Sequence, residues 1–283
     1  MKAVQVYNLL EKDFITPKLS DEWEAHIDSI TDLVSENFKK RSMGLVCDFA
    51  KEVKKVYTAV FPSKPVLQRI LAENAEDAML FLHHPAIWDI RQAPKVFQQM
   101  DRELLEHFKS RRISIYNLHV PLDDYGQYST SATLAKALGI QPERAFAPYF
   151  GSLSGVFGKT KSSTFQDLRK VFAQAVGHRV SLYPYGDKKI KNGIVALIAG
   201  GGNSVDMLEG IAQEGVNTFV TGITAKNDHS RKSHDFAEAN RINILGGTHY
   251  STEAFACTAM CDYFKKLGLP AKFMKDKPVM EDL

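Results

Sequence analysis

The chain has 283 residues, 44% of them hydrophobic and 24% charged, with a formal net charge of +3. Such a composition excludes a disordered or collagen-like chain, and so small a charge gives no electrostatic reason to expect nucleic acid or an anionic membrane as partner. The length allows one large domain or two, either with a core that needs no covalent staples. Three cysteines make no disulfide framework, and no stretch nears the roughly 18 apolar residues of a membrane span. The first 14 residues lack a signal-peptide core. The expectation is a soluble cytoplasmic protein.

In chain order, Ser20 to Lys40 has helical spacing through Ile27, Ile30, Leu33, Val34 and Phe38. Val56 to Phe61 reads as a strand and Pro65 to Ala72 as a short helix. Ala78 to Leu82 is a short apolar run, Pro94 to Lys109 has helical spacing, Ile113 to Leu118 is β-rich and Ser129 to Leu138 is helical. A middle stretch, with strands at Phe150 to Lys159, Arg179 to Tyr185 and Ile190 to Ile198 around a helix at Ser163 to Val176, carries turn signals that suit some antiparallel pairing. Beyond it, short strands at Gly193 to Ala199, Thr218 to Thr221 and Ile242 to Leu245 precede helices at Ser204 to Glu214, Lys232 to Asn240 and Ser251 to Leu267. Strand–helix alternation of this kind predicts an α/β fold with mostly parallel strands.

Imidazoles and carboxylates collect where these strands end. Phe-Leu-His-His-Pro at 81–85 puts His83 and His84 directly after an apolar strand, where α/β proteins gather functional side chains. Adjacent residues at such a turn can diverge toward two neighbouring cations; taken alone, the pair is equally a solvated polar loop. Asn-Leu-His-Val-Pro-Leu-Asp at 117–123 offers His119 and Asp123, which can share a cation or a proton, or form a turn in which Asp123 accepts backbone donors. Gly-Gly-Thr-His-Tyr-Ser-Thr-Glu at 246–253 sets His249 and Glu253 four apart, on one face of a helix that begins near Thr248. Its bland counterpart is a capped helix start. Together His83, His84, Asp123, His249 and Glu253 make a nitrogen and oxygen donor set large enough for two divalent ions, with His119 as a possible sixth member. Zinc, iron or manganese suits it better than calcium or magnesium.

The ordered combination of His-His-Pro, His-x-x-x-Asp at 119–123, Val-Thr-Gly at 220–222 and His-Tyr-Ser-Thr-Glu at 249–253, with Gly-Leu at 44–45, resembles the Nif-three-like family, also called the GTP cyclohydrolase I type 2 family. The resemblance implies two interlinked α/β lobes, a dinuclear site between strand ends and a toroidal homohexamer. By the same resemblance His83 and His84 sit on different metals, Asp123 and His249 each complete one site, and Glu253 bridges. Residues 1–125 with 246–283 form the expected metal-binding lobe and 126–245 the second lobe. The chain departs from the family at Thr-Gly-Ile (221–223), where Thr-Gly-Glu is usual, and at Arg-Ser-Met-Gly-Leu (41–45), preceded by an apparent insertion over about residues 25 to 40.

The expected function is therefore a dinuclear-metal-dependent hydrolase acting on a small molecule, a nucleotide such as GTP by resemblance, with His119 moving protons. The alternative is a non-enzymatic metal-binding scaffold or regulator, which Ile223 in place of the family glutamate would suit. Lesser signals have bland readings. Ala-Gly-Gly-Gly-Asn-Ser at 199–204 suits a tight turn capped by Asn203 or Ser204 better than a phosphate loop. Cys257 and Cys261 read as small core residues, and His229 and His234 as solvated surface more readily than cavity lining. Trp88 reads equally as ordinary packing or as cover for the metal cleft.

Overall fold

The computed structural model describes residues 1–283, which divide into two compact units. The first comprises Met1–Leu122, Phe150–Ser152 and Ala256–Lys277; the second comprises Asp123–Tyr149, Leu153–Phe255 and Pro278–Leu283.

In the first unit α1 (Ala3–Phe14) buries Ala3, Val6, Tyr7 and Leu10, the i, i+3, i+4, i+7 stripe of an amphipathic helix. The helical spacing over 20–40 resolves differently from the expectation. Two 3₁₀ turns, Glu24–His26 and Asp28–Ile30, come first, and a helix, α2, covers only Glu36–Arg41. Ile27, Ile30, Leu33, Val34 and Phe38 are all buried, so their spacing records an inward face and not a continuous helix. Helix α2 starts where Ser35 Oγ accepts the Phe38 N–H.

There follow β1 (Gly44–Cys47), β2 (Lys55–Ala59), α3 (Lys64–Ala72), β3 (Ala78–Leu82), β4 (Ile87–Trp88), β5 (Phe97–Gln98), α4 (Arg102–Ser110) and β6 (Ile113–Asn117). With β13 (Ala271–Phe273) they build a five-stranded sheet of order β1-β6-β3-β2-β13. All its pairings are parallel except β1 with β6. Strand β3, Ala-Met-Leu-Phe-Leu, is buried along its whole length, as a strand covered on both faces must be. The helix expected from Pro94 begins only at Arg102, because the Asp101 carboxylate accepts the Leu104 N–H as N-cap. Phe97–Gln98 instead pairs with Ile87–Trp88.

The one-turn helix α5 (Val120–Asp123) ends on the residue that opens the second unit. That unit contains α6 (Thr130–Ala137), β7 (Gln141–Tyr149), most of β8 (Ser152–Lys159), α7 (Phe165–Val176), β9 (Ser181–Tyr183), β10 (Ile194–Ile198), α8 (Val205–Gln213), β11 (Thr218–Thr221), α9 (Arg231–Ala239), β12 (Asn243–Gly246) and the first turns of α10 (His249–Lys266). The sheet order is β7-β8-β10-β11-β12-β9. Strands β10, β11 and β12 are parallel, whereas β8 and β9 flank them antiparallel. The expected predominance of parallel strands therefore holds at the centre of this sheet, and both sheets are mixed. Alternate residues face opposite layers. Leu197, Val220 and Leu245 pack with Phe165, Leu168 and Phe172 of α7, while Ala196, Phe219 and Ile244 pack with Leu208 and Ile211 of α8. No helix is long and apolar enough to cross a membrane.

Candidate metal centre

Parallel pairing of β3 with β6 puts the carboxyl ends of both strands on one edge of the first sheet, with Leu82 opposite Asn117. The next residues out are His83 and Leu118, and their backbones stay held. His83 N–H donates to Ala59 O (3.2 Å), His84 N–H to Val60 O (2.9 Å) and Leu118 N–H to Leu82 O (3.0 Å). The Asn117 side-chain amide donates to the His83 carbonyl at 2.5 Å. On this rigid edge His83, His84 and His119 each offer a ring nitrogen, and these nitrogens lie within 4.8 Å of one another, all three residues buried. His83 Nδ1 lies 3.0 Å from the Leu118 carbonyl oxygen, which can only accept. The proton therefore sits on Nδ1, and the lone pair of the neutral ring is on Nε2. His84 stacks on Phe61 (ring centroids 4.7 Å apart) and meets the edge of Trp23 at 5.7 Å.

The second unit repeats the logic at the carboxyl ends of β10, β11 and β12. Thr248 and Ser251 start α10 with a reciprocal capping box, Ser251 N–H donating to Thr248 Oγ1 and Thr248 N–H to Ser251 Oγ, each at 3.1 Å. The first residue of α10 is His249, and one turn on its Nε2 lies 3.1 Å from Glu253 Oε1, both side chains buried. The Asp282 carboxylate, fully buried, accepts the His249 N–H at 2.9 Å.

The glycine-rich turn after β10 serves this pair. Gly200 has φ +70°, and a Cβ there would collide with Glu253 Oε1 and lie 3.3 Å from the His249 ring. A Cβ at Gly222 would lie 2.6 Å from both Gly200 O and Thr252 Oγ1. Gly200 N–H is spent on Thr252 Oγ1 (3.0 Å), and neither Asn203 nor Ser204 caps α8 by a side-chain bond. The turn is thus shaped for close approach of Glu253. Asp123, buried at the end of α5, accepts the Thr130 hydroxyl at 2.6 Å.

Two carboxylates escaped the sequence reading. Asp21 pairs with His119 Nδ1 at 3.1 Å across 98 residues of chain, and Asp282 reaches His249 across 33. Neither sits in a spaced motif that could have announced it. His234 reverses its expected solvated placement. It is fully buried, with Nδ1 3.0 Å from the Tyr185 hydroxyl and Nε2 3.1 Å from the Thr224 carbonyl, and burial lowers its pKa below the ordinary 6.5. His229 remains exposed. Cys257 and Cys261 are buried core residues, bonded to Ala59 O and Thr58 Oγ1. Trp88 packs on Phe97, and Phe97 on Trp23 and His84. Ile223 is half-buried beside the glycine turn, its N–H donating to Gly200 O at 3.1 Å.

The Duf34/NIF3 (NGG1p interacting factor 3) family matches residues 21–278. A curated protein of Archaeoglobus fulgidus named GTP cyclohydrolase 1 type 2 homolog is 27% identical over 232 residues, covering 82% of this chain and 87% of that one. One of Pyrococcus abyssi with the same name is 26% identical over 244 residues, covering 84% and 90%. Among solved structures, protein ybgI, described as of unknown function, aligns with a TM-score of 0.74 at 20% identity over 98% of this chain and all of that one. Reduced HcgD from Methanocaldococcus jannaschii aligns with a TM-score of 0.67 at 20% identity, covering 98% of each chain. At such identities the structural likeness concerns the fold.

Proposed function

Because this chain belongs to the Duf34/NIF3 family, we propose that its buried imidazoles and carboxylates hold two divalent metal ions and that the protein is a metal-dependent hydrolase. The observation that carries the reading is the mutual approach of the His83, His84 and His119 ring nitrogens to within 4.8 Å at a strand-end edge. Imidazole nitrogens with carboxylate oxygens suit zinc, iron or manganese. In this reading His83 and His84 serve different ions, Asp123 and His249 complete one site each, and Glu253 bridges. A bound pair of ions supplies Lewis acidity and lowers the pKa of a water toward neutrality. His119, beside the imidazoles and backed by a carboxylate, accepts and returns the proton that hydrolysis moves. The names of the curated relatives make GTP the first substrate to test. Family resemblance adds a homohexamer as the quaternary state.

A second reading, a metal-holding scaffold without chemistry, is favoured by burial: none of these six side-chain-bearing residues exceeds 8% exposure. Anaerobically purified protein with measured metal content, incubated with GTP and other nucleotides, separates the two. Turnover that disappears on chelation, returns with metal and is lost in His84→Ala supports the hydrolase. Stoichiometric metal with no turnover across the panel supports the scaffold.

A further inference from the structure

Asp21 lies outside every ligand motif, on the irregular chain between α1 and the 3₁₀ turns, yet its side chain is only 3% exposed. Its Oδ1 and Oδ2 each lie 3.1 Å from His119 Nδ1. We propose that Asp21 is a positioning residue that fixes His119 as the Nδ1–H tautomer, so that Nε2 carries the ring's lone pair. The inference deepens the metal-site reading and rests on it for the role of His119, although the tautomer itself can be read without metal or substrate.

An ionised carboxylate only accepts hydrogen bonds. Against Asp21, therefore, His119 Nδ1 must donate, and in a neutral ring the lone pair is left on Nε2. His83 is set by the same rule through a different acceptor, the Leu118 carbonyl. Two of the three clustered imidazoles thus have their proton-bearing nitrogen committed to an oxygen. Imidazoles that serve metals or move protons are commonly oriented this way by a second group.

The carboxylate is itself held in place. Ser20 N–H donates to Phe150 O at 3.1 Å, Glu22 N–H to Asp21 Oδ1 at 2.9 Å and Trp23 N–H to Ser42 Oγ at 2.9 Å. Gly151, with φ +85°, lets the neighbouring turn press against the Lys18 carbonyl where any Cβ would collide. Trp23 then sets its ring edge-on to His119 with centroids 5.0 Å apart. The competing role is purely structural, because Asp21 Oδ2 also accepts the Val120 N–H at 3.4 Å at the start of α5. The substitution Asp21→Asn distinguishes the two. Asparagine keeps an acceptor for Val120 but can turn its NH₂ toward His119 Nδ1, which then accepts and drives the ring proton to Nε2.

The test is long-range ¹H–¹⁵N correlation of [¹⁵N]histidine-labelled, metal-free protein at pH 8, with His119 identified by its loss in His119→Gln. The wild type is expected to show Nδ1 protonated and Nε2 bare. Asp21→Asn, with an unchanged far-ultraviolet spectrum, is expected to show the Nε2–H form as the larger population, and Asp21→Glu to restore the wild-type pattern at least in part. A wild-type spectrum with Nε2 protonated overturns the proposal even if no variant folds. An unchanged His119 pattern in both folded Asp21→Asn and folded Asp21→Leu overturns it as well, since leucine leaves Nδ1 no side-chain oxygen to donate to. Because the protein carries no metal or substrate in this experiment, failure of the hydrolase reading would leave its outcome unaffected.

Discussion

His249 and Glu253 meet at 3.1 Å, one helical turn apart at the very start of α10, with Gly200 leaving the space that the glutamate occupies. A buried histidine–carboxylate pair is costly to assemble in an apolar interior unless its polar atoms are used.

Gly200→Ala should damage the site at its backbone. The added Cβ collides with Glu253 Oε1, and the left-handed φ of +70° disfavours any side chain. A positive-φ alanine costs ~1 kcal/mol before the collision is counted, so a loss of about 2–3 kcal/mol in urea unfolding is expected, together with reduced metal uptake. Gly201→Ala is the control, because a Cβ there approaches only Ile223 Cδ1, at 3.5 Å. Equal stability of the two variants would show that the close approach at Gly200 does not matter.

Asp282→Ala should loosen the first turn of α10. Its Oδ2 accepts the His249 N–H, and its carbonyl separately accepts Thr224 and Ala225 N–H at 2.7 and 2.8 Å. The substitution removes the first bond and spares the others. Loss of a cap costs ~1 kcal/mol, rising toward ~2 where the amide is left buried. Hydrogen exchange at His249 and Tyr250 should accelerate while the β11 amides keep their protection; a uniform change across the second unit would contradict the local role.

The legible and the hidden parts of this molecule differ in the distance over which their causes act. Ala78–Leu82 and Ile113–Asn117 are buried along their whole lengths; an unbroken apolar run marked the first as a strand and β-rich composition the second, and parallel topology then put the His-His pair and His119 at one edge. His249 and Glu253 were readable because a four-residue interval has a fixed meaning once a helix begins. Asp21 was not, since its partner is 98 residues away and the intervening geometry comes from the sheet. Residues 20–40 misled because Trp23, Ile27 and Ile30 are buried from tight turns, where inward faces recur at nearly helical spacing. His234 misled because charged neighbours in sequence say nothing of Tyr183 and Tyr185, which pack against its ring.

His234 also sets a pH dependence. Burial lowers its pKa below the unfolded value near 6.5, so on acidification the unfolded chain takes up this proton before the folded one does. Its contribution is fully present above pH 6.5 and is lost as the pH falls from there through the folded pKa. His234→Gln keeps a group able to reach the Thr224 carbonyl and should flatten the stability profile between pH 7 and 5. Parallel urea midpoints for wild type and variant over that range would contradict the assignment.

The proposed binding of two divalent ions by the buried imidazoles and carboxylates, with Glu253 between the ions, is decided by metal content per subunit. Glu253→Gln nearly conserves volume while removing the charge that would offset two cations, and glutamine can still serve the start of the helix. Elemental analysis of anaerobically prepared protein should give two ions per subunit for the wild type and at most one for the folded variant. Two ions retained at wild-type affinity in Glu253→Gln would contradict the bridging role, and a wild type that binds none when offered zinc, iron and manganese would contradict the metal centre itself.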